Sequence, residues 1–166
     1  MASKPETAAR YGGDVPAGVQ IEPLRIEAEL EALLPAIGAY QRFYEVEDVD
    51  DDRNRGFFTR FLSPSDKGAI IVARDGEDIR GYACLYWHLS SLSAAETVLM
   101  NDLYVDEQAR GHGVGRALIE ASAAIARERG AVWLEWATAP DNARAQALYD
   151  STGAERSEWI EYELRT

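Results

Sequence analysis

Apolar positions recur along this chain with two different spacings. A helical spacing of three to four residues is found in four segments, and continuous or alternating apolar runs are found in six shorter ones. The predicted helices cover residues 26–44, 51–62, 114–129 and 143–151, and the predicted strands cover 19–24, 69–74, 79–89, 97–105, 132–136 and 159–164. This order of elements predicts an α/β domain built on a mixed sheet.

Proline and potential capping residues set limits within the first half of the chain. Pro35 and Gly38 interrupt the first helical pattern and predict a kink or break there. Asp51 or Asp52 is the predicted N-cap of the second helix, and Pro64 terminates that helix.

Length and composition favour a single domain. The chain has 166 residues, of which 1–18 are predicted to be a flexible tail and 19–166 one domain. The single cysteine, Cys84, excludes an intrachain disulfide and favours a reducing, cytoplasmic setting. A formal net charge of −12 argues against nucleic acid and anionic membrane surfaces as partners.

An acidic run lies between the first two predicted helices, at residues 45–52. Carboxylates beside a helix N-terminus are typical of a solvated loop, which is the interpretation we favour. The alternative is an electrostatic entrance that attracts an ammonium group.

The most informative stretch follows the strand at 97–105. Gly111, Gly113 and Gly115 open the helix that begins near residue 114, at the point where the first backbone N–H groups have no partner within the helix. An anion can approach those amides closely, and Arg110 and Arg116 add positive charge beside them. The pattern predicts a diphosphate cradle, with an ordinary glycine-rich turn as the alternative.

Two common phosphate-binding motifs do not fit this stretch. A P-loop would require a lysine directly after the glycines, and none is present. A dinucleotide fingerprint would require glycine at position 116, where this chain has Arg116. A dinucleotide-binding oxidoreductase is therefore disfavoured.

Arg110, Gly113 and Gly115 form an Arg-x-x-Gly-x-Gly motif that resembles the acyl-CoA pyrophosphate loop of the GNAT family of N-acetyltransferases. Further similarity to the histone and polyamine acetyltransferase branch is found from about residue 100 to the end of the chain. This similarity rests on Asn101-Asp102-Leu103-Tyr104-Val105 and on the tract from Trp136 through Asn142 to Tyr149. The resemblance implies the GNAT fold, an α+β arrangement with a mostly antiparallel sheet and a splayed central strand pair.

The resemblance also implies acetyl-CoA as cosubstrate. Main-chain groups of the strand before the glycines would pair with pantetheine, the loop would hold the pyrophosphate, and Asn142 would contact the pantetheine arm or cap a helix. The implied cofactor-binding residues are Leu103, Val105, Gln108, Arg110, Gly111, His112, Gly113, Val114, Gly115, Arg116 and Asn142.

Two residues are candidates for proton transfer. By resemblance, Tyr149 would be the general acid that protonates the leaving thiolate, and a phenol is neutral at pH 7. Asp102 is the candidate general base, directly or through water, although it could instead pair with an arginine. Diamine acetyltransferases carry two adjacent acids here, whereas this chain has Asn101, which weakens a polyamine assignment. Glu135 is a less favoured base.

Aromatic residues on the predicted strands could form a wall of the acceptor pocket. Tyr86, Trp87 and Trp136 have the cation–π character that suits an ammonium, although such residues are more often core. No histidine-containing metal site is expected. The function implied is acetyl transfer to a primary amine, which could belong to a small amine, a polyamine or a protein lysine, and the family resemblance suggests a homodimer. The alternative is a non-catalytic acyl-CoA-binding or sensing module.

Overall fold

The computed structural model describes residues 15–166, so that most of the predicted tail lies outside the described residues. Five strands and four helices follow one another with two short 3₁₀ turns, Thr59–Phe61 and Glu107–Ala109. The strands are β1 (Val19–Pro23), β2 (Gly68–Asp75), β3 (Asp78–Ser90), β4 (Ala95–Val105) and β5 (Leu134–Glu135). The helices are α1 (Glu27–Phe43), α2 (Asp51–Phe58), α3 (Val114–Glu128) and α4 (Ala143–Asp150). The expected mixed, mostly antiparallel architecture is confirmed.

The sheet has the strand order β1-β2-β3-β4-β5. Neighbours are antiparallel except for β4 and β5, which are parallel and pair only at Val98 with Leu134 and Leu99 with Glu135. Beyond these two residue pairs the strands diverge, so that main-chain groups of the second half of β4 face a gap. This is the splayed pair that the sequence resemblance implies, and it forms one end of the described sheet.

Both faces of the sheet are covered, which explains the continuous apolar run in β2. Ile71 and Ala73 belong to the core under α3, together with Leu118 from that helix. Ile70 and Val72 point to the other face and pack in the core under α1 and α2. Alternate residues of β2 therefore contribute to two separate cores.

A β-bulge in β4 changes which residues face each core. Cys84 pairs with Asp102, but the next residue of β3, Leu85, pairs with Met100, so that Asn101 has no opposite residue. After this extra residue, each side chain of β4 lies on the opposite face of the sheet from the one that strict alternation would give. Consequently Met100 and Leu103 contact the α3 core, whereas Tyr104 packs against the α1 side.

Four local predictions differ from the structure. The predicted C-terminal strand at 159–164 is wrong, because residues 154–166 have no regular secondary structure and no sheet partner within the described chain. A strand pattern alone gives no stability without a partner to hydrogen-bond. α1 is continuous through Pro35, so that of the predicted kink or break the break is excluded. The cap of α2 is Asp50, whose side chain accepts from Arg53 N at 2.7 Å, and β5 is shorter than predicted.

No helix among residues 15–166 has the length and apolarity needed to cross a membrane. The acidic segment before α2 is solvent-exposed, and Asp48 forms an ion pair with Arg53 at 3.2 Å. These contacts agree with the interpretation of a solvated loop beside a helix N-terminus.

Candidate active site

A cavity of about 540 Å³ occupies the gap where β4 and β5 diverge. Its walls come from the C-terminal end of α1, the second half of β4, the glycine loop, the start of α3, and α4. We call it the first cavity. It brings together most of the residues singled out in the sequence. The predicted residues that line it are Leu103, Val105, Arg110, Gly111, Gly113, Gly115, Arg116, Asn142 and Tyr149.

The glycines shape the end of the first cavity at the N-terminus of α3. Gly113 is the N-cap residue and has φ +87°, a left-handed conformation that strongly favours glycine. Gly115 lies under α4, where an added Cβ would be 3.0 Å from Leu148 Cδ2. The helix end therefore exposes main-chain N–H groups to the cavity without side chains in front of them, an arrangement that suits an anion.

Three arginines line the first cavity, and none of the described residues that line it is acidic. Arg110 donates from Nε to the carbonyl oxygen of Val105 at 3.0 Å. Arg116 donates from Nη2 to Ser151 O at 3.0 Å and to Ser151 Oγ at 2.7 Å. Arg144, which the sequence did not single out, is the third. The excess positive charge in an otherwise acidic protein favours a multiply charged anionic ligand.

α4 supplies the two residues farther along the first cavity. Asn142 caps α4, its Oδ1 accepting from Ala145 N at 3.2 Å, and it also lines the cavity, so that both predicted roles are compatible. Tyr149 packs edge-on against Trp136 with ring centroids 5.4 Å apart. Burial raises the pKa of the Tyr149 phenol, and the neighbouring Tyr44 raises it further. Tyr149 is therefore a protonated donor at neutral pH.

Asp102 lies behind the cavity wall, not on it. Its carboxylate is on the α1 side of the sheet and the residue is only 9% exposed. Burial raises the pKa of Asp102 to about 6, and hydrogen bonds from Asn101 and Tyr40 partly offset this. Asn101 Nδ2 donates to Asp102 Oδ1 at 3.0 Å. Any proton that moves between the cavity and Asp102 must pass one of these polar neighbours or a water.

Tyr40 and Tyr82 lie near Asp102, and two further tyrosines, Tyr44 and Tyr104, pack around Tyr40. Tyr40 lies edge-on to Tyr44 at 5.0 Å, to Tyr82 at 6.2 Å and to Tyr104 at 6.5 Å between ring centroids. Tyr40, Tyr44 and Tyr104 line the first cavity, whereas the Tyr82 hydroxyl is fully buried without a hydrogen-bond partner within the described chain. Tyr40 and Tyr44 were not among the predicted site residues, although their i, i+4 spacing in α1 places both rings on one face of the helix.

Several predicted residues lie elsewhere. Gln108 and His112 are exposed beside the first cavity without lining it, and the Val114 side chain is buried in the core under α3. Two of the three aromatics considered for an acceptor wall take the alternative role of packing against a core and do not line the first cavity. Tyr86 stacks on Phe61 at 5.0 Å, and Trp87 packs beneath Arg129 with 3.9 Å between the guanidinium carbon and the ring centroid.

Glu135, the less favoured base, is held away from the first cavity. Its carboxylate lies 3.1 Å from His88 Nδ1 and accepts from Thr97 Oγ1 at 3.2 Å. No cluster of three or more potential metal ligands of the His, Cys, Asp or Glu type occurs within residues 15–166.

A second cavity of about 500 Å³ adjoins the first. The two share Tyr40, Tyr44, Asn101 and Ala137 as a common wall. The second cavity extends from this wall past Thr138 to Glu161 in the C-terminal segment.

Comparison with known proteins gives the site its context. The profile of the acetyltransferase (GNAT) family matches residues 29–154. The chain is 45% identical over 94 residues to the D-amino-acid N-acetyltransferase of Saccharomyces cerevisiae, covering 55% of this chain and 58% of that protein. It is 38% identical over 81 residues to the thialysine N-epsilon-acetyltransferase of Caenorhabditis elegans, covering 49% of this chain and 50% of that protein. The chain thus matches between half and three fifths of the length of these two curated relatives.

A solved structure described as a probable acetyltransferase matches over nearly its whole length. It has a TM-score of 0.78 and 31% sequence identity, and the match covers 89% of this chain and 97% of that one.

Proposed function

This chain belongs to the acetyltransferase (GNAT) family, and from that premise we propose that it transfers an acetyl group from acetyl-CoA to a primary amine within a ternary complex. The proposal rests above all on the first cavity. One continuous space runs from three arginines and a glycine-capped helix N-terminus to a protonated tyrosine.

The first cavity fits acetyl-CoA in the sign of its charge, in its shape and in the order of the residues along it. Gly111 and Gly113 leave room for a pyrophosphate at the N-terminus of α3, and Arg110 and Arg116 lie beside it. Beyond Leu99 the edge of β4 that faces β5 has no strand partner, and this edge offers main-chain groups near Leu103 to an amide-containing arm in the way that a strand edge accepts an added strand. When bound, acetyl-CoA supplies the thioester carbonyl that the amine attacks.

An ammonium group must lose a proton before its nitrogen can attack the thioester carbonyl. We assign the acceptance of this proton to Asp102, through the hydroxyl of Tyr40, which borders the first cavity and is close enough to the carboxyl group to lower its pKa. Tyr40 would pass its own proton to Asp102 as it receives one from the ammonium, so that no charged tyrosine needs to persist. A base with a pKa near 6 is ionised at neutral pH and still accepts a proton readily.

The C–N bond forms as the C–S bond breaks, and the departing thiolate needs a proton. Tyr149, on α4, lines the first cavity and supplies it. The raised pKa of this phenol keeps the proton in place until the thiolate, a stronger base than the thioester sulfur, develops beside it.

A thiol-release assay tests the proposal. Purified protein, acetyl-CoA and each of a panel of primary amines are mixed, and free CoA thiol is followed. Release that depends on both the amine and the protein supports acetyl transfer. Tight acetyl-CoA binding without release for any amine would instead identify a binding or sensing module.

A further inference from the structure

The carboxylate of Glu135 connects three neighbouring strands on one face of the sheet. Thr97 on β4 donates from Oγ1 to Glu135 Oε1 at 3.2 Å, and His88 Nδ1 on β3 lies 3.1 Å from the same oxygen. Trp133, which directly precedes β5, donates from Nε1 to Glu135 Oε2 at 3.3 Å. Both oxygens of this carboxylate are therefore engaged by neighbouring side chains.

Glu135 lies at the point where the two parallel strands diverge. It is the last residue of β5 and the last one that pairs with β4. Before this point, Val98 N donates to Trp133 O at 3.0 Å, and Val132 N donates to the carbonyl of the residue at position 96 at 2.9 Å. A parallel pair this short has little stability of its own. The side-chain contacts of Glu135 add to the attachment where it is weakest.

Thr97 makes the Glu135 carboxylate costly to remove. Thr97 is only 1% exposed, and its hydroxyl is satisfied by Glu135. A buried hydroxyl that loses its partner costs free energy, so that without the carboxylate the end of β5 would shift until the hydroxyl found water or another acceptor.

The residues that follow Glu135 form a wall of the first cavity. Trp136 and Ala137 line that cavity, whereas Glu135 does not. The Trp136 ring packs edge-on against Tyr149, the proposed acid, and contributes to the core under α3. Because Trp136 is bonded directly to Glu135, a shift of the strand end moves this wall and its contact with Tyr149.

We propose that Glu135 is a positioning residue, whose carboxylate fixes the point at which β5 leaves β4 and thereby holds Trp136 and Tyr149 in place at the first cavity. The inference rests on the proposed acetyl transfer and adds a residue that acts through its neighbours. Glu135 serves in this role as a hydrogen-bond acceptor and not as a base.

The test compares three variants with the wild type. Glu135→Ala removes all the contacts of the carboxylate, and Glu135→Gln keeps an oxygen that can accept from Thr97. Glu96→Ala is the matched control, since it removes a carboxylate at the same end of the sheet, where Glu96 pairs with Arg129 and does not line the first cavity. Thermal melts followed by circular dichroism set an assay temperature at which every variant is folded.

Calorimetric titration with CoA measures the position of the cavity wall without any turnover. The Kd for CoA should be about fivefold higher in Glu135→Ala, a factor that corresponds to one net hydrogen bond, and within about twofold of the wild type in Glu135→Gln and Glu96→Ala. In the thiol-release assay, the KM of Glu135→Ala for acetyl-CoA should rise by the same factor, and its kcat should fall because Tyr149 loses support. A role confined to stability would leave these constants unchanged in a folded protein.

Unchanged CoA affinity in folded Glu135→Ala, or an equal loss of affinity in Glu96→Ala, would overturn the inference. A loss in Glu135→Gln as large as that in Glu135→Ala would also overturn it, since the charge and not the hydrogen bonds would then be the property that matters. If no amine releases CoA, acetyl transfer fails, yet the CoA titrations still decide the role of Glu135.

Discussion

Asp102→Asn should make the protein more stable and a poorer enzyme. The substitution keeps the shape of the side chain and an oxygen that can accept from Asn101 Nδ2, and it removes the buried charge. Burial raises the pKa of Asp102 from 3.8 to about 6. At 1.36 kcal/mol per pH unit, this difference corresponds to about 3 kcal/mol of unfolding free energy.

The sign follows from proton binding. The folded protein holds the Asp102 proton more tightly than the unfolded chain does, because the folded-state pKa is the higher one. Stability is therefore lost as the pH rises from about 3.8 to about 6, and the loss is complete at pH 7. The amide that replaces the carboxyl group in Asp102→Asn does not titrate. The variant should therefore gain up to about 3 kcal/mol relative to the wild type at pH 7 and much less near pH 4.

Urea denaturation of both proteins between pH 4 and pH 8 measures this difference. The difference between the two free energies isolates the titration of Asp102 from that of other groups. A variant that is less stable than the wild type at pH 7, or a difference independent of pH, would refute the reasoning. It would show that the carboxylate is better solvated or paired than the contacts of Asn101 and Tyr40 indicate.

The same variant tests catalysis. Loss of a general base typically costs a factor of about 10² to 10⁴ in rate, and we expect kcat/KM for the best amine to fall within that range. The wild-type profile of kcat/KM should also rise with pH through an apparent pKa near 6, a limb that Asp102→Asn should lack. Full activity in the variant would exclude Asp102 as the base.

Three other outcomes follow from the site. Tyr149→Phe should lower acetyl transfer while leaving CoA affinity unchanged, with Tyr162→Phe, at a 91% exposed position, as the control; equal turnover in all three proteins would remove Tyr149 from the mechanism. Gly113→Asp should abolish CoA binding in calorimetry through charge repulsion and strain at φ +87°. Gly130→Asp, with φ +75° at the other end of α3, adds similar strain and charge but should keep the affinity; unchanged affinity in a folded Gly113→Asp would contradict the pyrophosphate site. The homodimer stays a prediction. Light scattering should give a mass twice the 18.4 kDa of one chain, and the mass of a single chain would show the prediction to be wrong.

Periodicity predicted the helices and strands whose apolar faces are continuous. α3 is an example, since Val114, Leu118 and Ile125 mark one buried stripe and the glycines before it have no side chains to place. The cradle could therefore be located from the sequence alone. The same pattern was misleading at the C-terminus. The apolar residues there have the spacing of a strand, but no strand of the described chain pairs with them. Trp159 and Tyr162 are 86% and 91% exposed.

The position of Asp102 could not be predicted for a different reason. Strict alternation from Val98 and Met100 would place Asp102 under α3, on the same face of the sheet. One extra residue, Asn101, reverses the facing, so that the carboxylate lies among the tyrosines of the α1 side. A bulge of one residue leaves no signature in composition or spacing, yet it decides which residues meet at the site.

The aromatic acceptor wall depends in the same way on tertiary contacts. Tyr86 and Trp136 are both strand-associated aromatics, but Tyr86 lies against Phe61 in the core under α1 and α2. Trp136 follows the two-residue strand β5, where the chain turns away from β4, and so it lines the first cavity. The divergence of β4 and β5, and not the residue type, therefore decides that Trp136 lines the cavity while Tyr86 packs in the core.

The central claim is tested most directly by product stoichiometry. Protein, acetyl-CoA and the best amine of the panel are incubated, and mass spectrometry measures the N-acetylated amine while free thiol is counted in the same sample. Acetyl transfer predicts one acetylated amine for each CoA released, with both products reduced together in Tyr149→Phe. Bound acetyl-CoA with neither product, or thiol release without an acetylated amine, would contradict it.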